Sequence, residues 1–69
     1  MKINKDAILI KMAEKVMSRQ DLADATGINY KTLHNAISNG YASPMTIGKI
    51  ARGLGCGVEE IVIIETATA

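Results

Sequence analysis

The stretch that most constrains the fold lies between residues 18 and 40, where signals for two short helices surround a single glycine. Ser18, with Asp21 three residues later, has the spacing of a capping box, which predicts that a helix starts here. Gly27 stands where this helix must stop and reverse, a place that commonly requires a positive φ angle. The stretch therefore predicts two helices that meet at a tight turn.

The second of these helices is predicted over residues 29–38. Asn29 can cap it by accepting a backbone N–H group, and Gly40 follows its end. Leu33 and Ile37, four residues apart, give it one buried stripe. Such a helix would present its other residues to solvent or to a partner.

Helical signals also flank this pair. Asn4 can cap a first helix over residues 5–17, with an apolar stripe at Leu9, Met12, Ala13 and Val16, while Ile8 and Ile10 fill the edge of the core. Ser43 followed by Pro44 begins a further helix, because proline loses no hydrogen bond at the first helical position. Its buried face repeats at helical spacing through Ile47, Ile50, Ala51 and Leu54.

The apolar positions around the turn resemble those of a known family. Their spacing resembles that of the helix-turn-helix of Cro/C1-type (XRE-like) phage repressors. The residues that carry the resemblance are Leu22 and Ala23, then Gly27, then Leu33 six residues later. The resemblance covers about residues 8–62. It implies an all-α fold, a compact four- to five-helix bundle of the lambda-repressor-like type, in a phage or prokaryotic regulator.

Chain length and cysteine usage limit the other possibilities. The 69 residues make one domain, 1–69, with a core over about residues 5–62 and a frayed tail at 65–69. A chain this short buries only about 60% of its unfolded surface. Cys56 is alone, so neither an intrachain disulfide nor a cysteine metal site is expected, and a reduced cysteine suits the cytoplasm. No signal peptide or membrane span is expected.

The net charge of +1 divides unevenly along the chain. Residues 1–57 hold all eight basic side chains against four acidic ones, a net of +4, whereas residues 58–69 carry three glutamates. The basic charge therefore belongs to the part that resembles a DNA-binding domain.

The resemblance and the geometry of B-DNA together predict the contact residues. An α-helix fits the major groove, and its N-terminal side chains point at base edges. The predicted base contacts are Tyr30, Lys31, Thr32, Asn35 and His34. The predicted phosphate contacts, which position the protein without specifying a sequence, are Arg19, Gln20, Asn29, Tyr41 and Ser43. No cofactor, metal or small-molecule ligand is expected.

One domain of this size contacts about half an operator, so a homodimer on double-stranded DNA is expected. The resemblance implies a Cro-like repressor that acts by occluding its site. Residues 61–64, Ile-Val-Ile-Ile, leave two interpretations open. The segment could be a short strand that pairs with a second chain through Ile61, Val62, Ile63 and Ile64, or it could close the base of the core.

Two other functional classes compete with a DNA-binding regulator. The same fold serves as a protein-interaction module in antitoxins and accessory proteins, which would use residues 61–64. An enzyme is not expected, because His34 and Cys56 fall on different elements and no third group is predicted to orient them. A steep loss of binding with salt would separate DNA binding from apolar association.

Overall fold

Four α-helices and one 3₁₀ turn follow each other along residues 1–63, the part of the chain that the computed structural model describes. They are α1 (Lys5–Glu14), α2 (Arg19–Thr26), α3 (Tyr30–Asn39), α4 (Pro44–Leu54) and the 3₁₀ turn Val58–Glu60. The all-α fold class is confirmed. In place of the fifth helix that the expected four- to five-helix bundle allows, the chain has the single 3₁₀ turn.

The capping signals around the helix pair form as predicted. Ser18 Oγ accepts the Asp21 backbone N–H at 3.1 Å, and Asp21 Oδ2 accepts the Ser18 N–H at 3.0 Å. Gly27 ends α2 with φ +73°, in the left-handed region that side chains rarely adopt. Asn29 Oδ1 accepts the Lys31 backbone N–H at 2.8 Å and so starts α3.

The core is a single aliphatic cluster to which all four helices contribute. α2 packs against both α3 and α4, which holds the helix pair from behind. The largest side chains that are fully enclosed are Ile8, Leu22, Leu33, Ile37, Ile47, Ile50, Leu54 and Ile61. Because these eight side chains are all isoleucine or leucine, they occupy few rotamers and fix the helix positions closely.

The predicted register of α1 is wrong. Ile8 and Met12, one helical turn apart, are the buried residues of this helix, whereas Leu9 is 41% exposed and Ala13 is exposed. Ile10, predicted at the core edge, is 59% exposed. The physical reason is that Ile8 and Leu9 are both large and apolar, so spacing within α1 does not decide which of them the other helices bury. Lys11, next to the Ile8–Met12 stripe, reaches the 3₁₀ turn and pairs with a carboxylate there.

The end of α1 also differs from the prediction. The helix stops at Glu14 rather than at residue 17, and Val16 adopts φ +54°. The Met17 N–H donates to the Met12 carbonyl at 2.9 Å, which closes the last turn around this left-handed residue. Val16 is 89% exposed and contributes nothing to the predicted stripe.

Residues 1–4, which precede the predicted core, are hydrogen-bonded into the domain. The Ile3 N–H donates to the Gly40 carbonyl at 2.8 Å, and the Asn4 N–H donates to the Ile61 carbonyl at 2.9 Å. The Ile63 N–H donates to the Lys2 carbonyl at 3.0 Å. Residues 1–4 thus lie between residues 40–42 and 61–63, and Ile3, only 4% exposed, extends the core beyond its predicted start.

This arrangement corrects the expected partner surface at residues 61–64. Ile61 is fully buried and Val62 is 7% exposed, both within the core of their own chain. The predicted short strand is one antiparallel bridge between Ile3 and Val62. Ile63 is 49% exposed, and Ile64 with the predicted frayed tail lies outside the described residues. The burial of Ile61 and Val62 favours the core-closing interpretation.

The helices of residues 1–63 are all too short and too polar to cross a bilayer.

Candidate nucleic-acid interface

One face of α3 is buried and the other carries every predicted base contact. Leu33, Ala36 and Ile37 form the buried face. The exposed side chains include all the predicted base contacts, namely Tyr30, Lys31, Thr32, His34 and Asn35. The helix therefore offers a polar, hydrogen-bonding surface that its own core supports from behind.

Ser38 also lies on this exposed surface, and the sequence-based prediction missed it. Lys31, Asn35 and Ser38 stand at positions i, i+4 and i+7, so they share one face of the helix. All three are exposed. The helical spacing itself was the signal that could have identified Ser38.

Contacts between α2 and α3 bring three of the predicted residues together. Arg19 Nη1 lies 3.1 Å from His34 Nδ1, and the rings of Tyr30 and His34 stack with centroids 6.1 Å apart and planes 18° from parallel. Arg19 is half-buried at the start of α2. A predicted phosphate contact and two predicted base contacts therefore form one cluster across the turn.

The remaining predicted phosphate contacts at the α2 side already have intramolecular roles. Gln20 Nε2 donates to Asp24 Oδ1 at 3.0 Å along α2. Asn29 Oδ1 is the N-cap acceptor of α3. The Nδ2 group of the same amide is its donor, and this group is chemically suited to donate to a phosphate. These bonds orient both amides without using every donor they possess.

Tyr41 and Ser43 lie just beyond the C-terminal end of α3. Tyr41 is 63% exposed. Ser43 Oγ donates to Thr46 Oγ1 at 3.1 Å and accepts the Thr46 N–H at 3.4 Å, which caps α4. Asn29 lies just before α3 and Tyr41 and Ser43 lie just after it, so predicted phosphate contacts are found at both ends of the helix.

The groups with shifted pKa values lie away from this face. The Gly57 N–H, at 2.8 Å, and the Lys11 ammonium, at 3.2 Å, lower the pKa of the Glu60 carboxyl. The hydrogen bond and charge of Glu60 in turn raise the pKa of Lys11. Partial burial raises the pKa of Cys56, which keeps its thiol protonated and suits a side chain packed against the core.

Acidic and metal-ligating residues form no cluster of three or more within residues 1–63. The predicted contact residues carry amides, hydroxyls, an imidazole and the cations of Arg19 and Lys31. These groups suit hydrogen bonding to base edges and attraction to phosphates.

Comparison with known proteins agrees with this geometry. The family model of the Cro/C1-type HTH DNA-binding domain matches residues 7–67, which is nearly the whole chain. No curated protein and no solved structure gives a significant match. The matched range includes α2, the Gly27 turn and α3, the elements that carry the exposed face. The chain belongs to the Cro/C1-type helix-turn-helix family of DNA-binding domains.

Proposed function

We propose that this protein is a sequence-specific transcriptional regulator that inserts α3 into the major groove of double-stranded DNA. One observation carries the proposal: α3 buries Leu33 and Ile37 completely while its opposite face is exposed and polar. A helix held in this way can enter the groove, which is about 12 Å wide, without exposing its own core.

The base contacts follow from the chemistry of the exposed residues. Lys31 donates to guanine O6 and N7, and Asn35 has the amide geometry for adenine N6 and N7. The Thr32 methyl meets a thymine methyl. Tyr30 completes the set as a side chain at the groove edge.

Phosphate contacts from both flanks set the position of α3 in the groove. Arg19, Gln20 and Asn29 approach one strand of the backbone. Tyr41 and Ser43 approach the backbone at the other end of the helix. Such contacts supply affinity that depends steeply on salt but carry no sequence information.

Two copies acting as a homodimer would contact two half-sites about one helical turn apart. Binding of that kind occludes an operator from polymerase, which is the simplest route to repression for a domain of this size. Ile63 is the residue of the segment at 61–63 that stays exposed for contact with a partner. Ile61 and Val62 serve the core of their own chain.

The burial of Ile61 and Val62 argues against the alternative function, a protein-interaction module based on residues 61–64. A module of that kind needs apolar side chains at its surface, and two of the four are enclosed. The exposed face of α3 is polar, which suits DNA better than an apolar partner.

A salt titration tests the proposal. Fluorescence anisotropy with a labelled duplex that contains the preferred site should show the logarithm of the affinity falling linearly with the logarithm of the salt concentration. The slope should correspond to several phosphate contacts. A scrambled duplex should bind at least about a thousandfold more weakly at physiological salt. Equal affinity for both duplexes, or a slope near zero, would remove the proposed function.

A further inference from the structure

We infer that His34 is a positioning residue that holds Arg19 for phosphate contact, and that it makes no base contact of its own. The inference rests on the proposed function, because it names how one group of that interface is prepared. It departs from the sequence-based expectation, in which His34 is a member of the base-contacting set.

The hydrogen bond between the two side chains has a defined direction. A guanidinium can only donate, so His34 Nδ1, 3.1 Å from Arg19 Nη1, must be an unprotonated acceptor. The neutral ring then carries its proton on Nε2, which lies 3.5 Å from Ser38 Oγ. The order of donation is therefore Arg19 to His34 to Ser38.

Both ring nitrogens of His34 are thus directed at other side chains of the domain, and the ring plane is held by its stack on Tyr30. Neither nitrogen is left to recognise a base edge. Arg19, by contrast, has five N–H donors and gives one of them to His34. The others can form a fork to phosphate oxygens.

Holding Arg19 in advance lowers the entropy that its side chain loses on binding DNA. The bond crosses from α2 to α3, so it also ties the phosphate contact to the helix in the groove. The groups that face the imidazole are Arg19 on α2 and Tyr30 and Ser38 on α3. None of them is a carboxylate that would stabilise an imidazolium.

Protonation of His34 abolishes the arrangement. A protonated ring has no acceptor on Nδ1, and it places a second positive charge beside the guanidinium. The bond to Arg19 therefore requires the neutral ring.

A double-mutant cycle on DNA affinity tests the inference. His34→Ala and Arg19→Ala should each weaken binding about three- to tenfold on the preferred site and on its single-base variants alike. The double variant should be no weaker than Arg19→Ala alone. His34→Gln, which keeps an acceptor, should retain most of the affinity.

Two measurements can overturn the inference while leaving the proposed function intact. One is the double-mutant cycle, where a His34→Ala loss that is confined to a single base pair, or fully additive with Arg19→Ala, would do so, and so would no loss at all. The other comes from the free protein, where ¹⁵N shifts of the His34 ring at about pH 8 should report a proton on Nε2. A proton on Nδ1 would exclude the Arg19 bond. If the wild-type protein shows no sequence preference, the proposed function and this inference are both wrong.

Discussion

Gly53 of α4 faces the Cγ2 methyl of Thr26 in α2 so closely that a β-carbon at position 53 would lie 2.5 Å from it. Thr26 is not free to rotate away, because its Oγ1 donates to the Ala23 carbonyl at 3.2 Å and accepts the Ile28 N–H at 3.3 Å. This contact sets how near α4 approaches the helix that supports α3.

Replacing Gly53 with alanine should destabilise the domain by about 1–3 kcal/mol, because the crowding outweighs the higher helix propensity of alanine. Gly48→Ala is the matched control in the same helix, since no heavy atom lies within 4 Å of its added β-carbon. That variant should gain about 0.5–1 kcal/mol. Urea denaturation midpoints measure both changes. Equal stabilisation by the two alanines would show that α2 and α4 are not in close contact.

Val16→Gly should stabilise the protein by about 1 kcal/mol, because a branched side chain is strained at φ +54° and glycine is not. Val16 is 89% exposed, so its removal loses little packing. Val16→Ala is the control, since it keeps a β-carbon and should recover only part of the gain. Thermal unfolding compares the three proteins, and a lower midpoint for Val16→Gly than for Val16→Ala would contradict the left-handed turn.

The ion pair between α1 and the 3₁₀ turn should make stability depend on pH. The lowered pKa of Glu60 means that its contribution is complete above the ordinary range of glutamate and is lost as pH falls through the lowered value. The raised pKa of Lys11 means that its contribution is lost as pH rises through that raised value. Glu60→Gln should lower the unfolding temperature at neutral pH and leave it nearly unchanged in acid.

Glu59→Gln is the control for this variant, because it makes the same change of charge one residue away on the same turn. Unfolding temperatures measured across the acidic range compare the two substitutions. If Glu59→Gln reproduces the pH dependence of Glu60→Gln, net charge rather than the Lys11 pair is responsible.

Ile3→Ala should cost about 2–4 kcal/mol, because Ile3 is 4% exposed and lies where residues 1–4 join residues 61–63. Ile63→Ala is the control, because Ile63 also lies where residues 61–63 join residues 1–4 but is 49% exposed. It should change stability by less than about 1 kcal/mol. Chemical denaturation distinguishes the two variants. A small effect at Ile3 would mean that the N-terminal segment is not part of the core.

The sequence was sufficient wherever the determining contact is local. The Ser18–Asp21 capping box, the Gly27 turn and the Asn29 cap each involve residues at most four apart, and all form as predicted. The exposed face of α3 also followed from spacing, because Leu33 and Ile37 fix which side turns inward.

What the sequence could not supply depends on distant parts of the chain. Ile3 and Val62 are neighbours only because the whole bundle brings the two ends together. The register of α1 was mispredicted because Leu9 and Ile8 are equally apolar, and the pattern of α1 alone does not decide which of them the rest of the bundle buries. The bond between Arg19 and His34 spans fifteen residues and two helices, so no local pattern reveals it.

Contacts from α3 should determine the sequence that this protein prefers. Lys31→Ala and Asn35→Ala should each lose about 1–3 kcal/mol of discrimination at particular base pairs, because each removes a side chain aimed at base edges. Arg19→Ala should weaken all sequences alike, which makes it the control for a phosphate contact. Anisotropy on a set of single-base variants of the site separates the two patterns.

The most direct measurement is selection of bound sequences from random duplex DNA by the wild-type protein and by Asn35→Ala. The wild type should enrich one motif whose two halves are related by two-fold symmetry and lie about one helical turn apart. Asn35→Ala should lose the preference at one base pair in each half and keep the others. Enrichment of no motif, or the same motif for both proteins, would show that α3 does not specify the site.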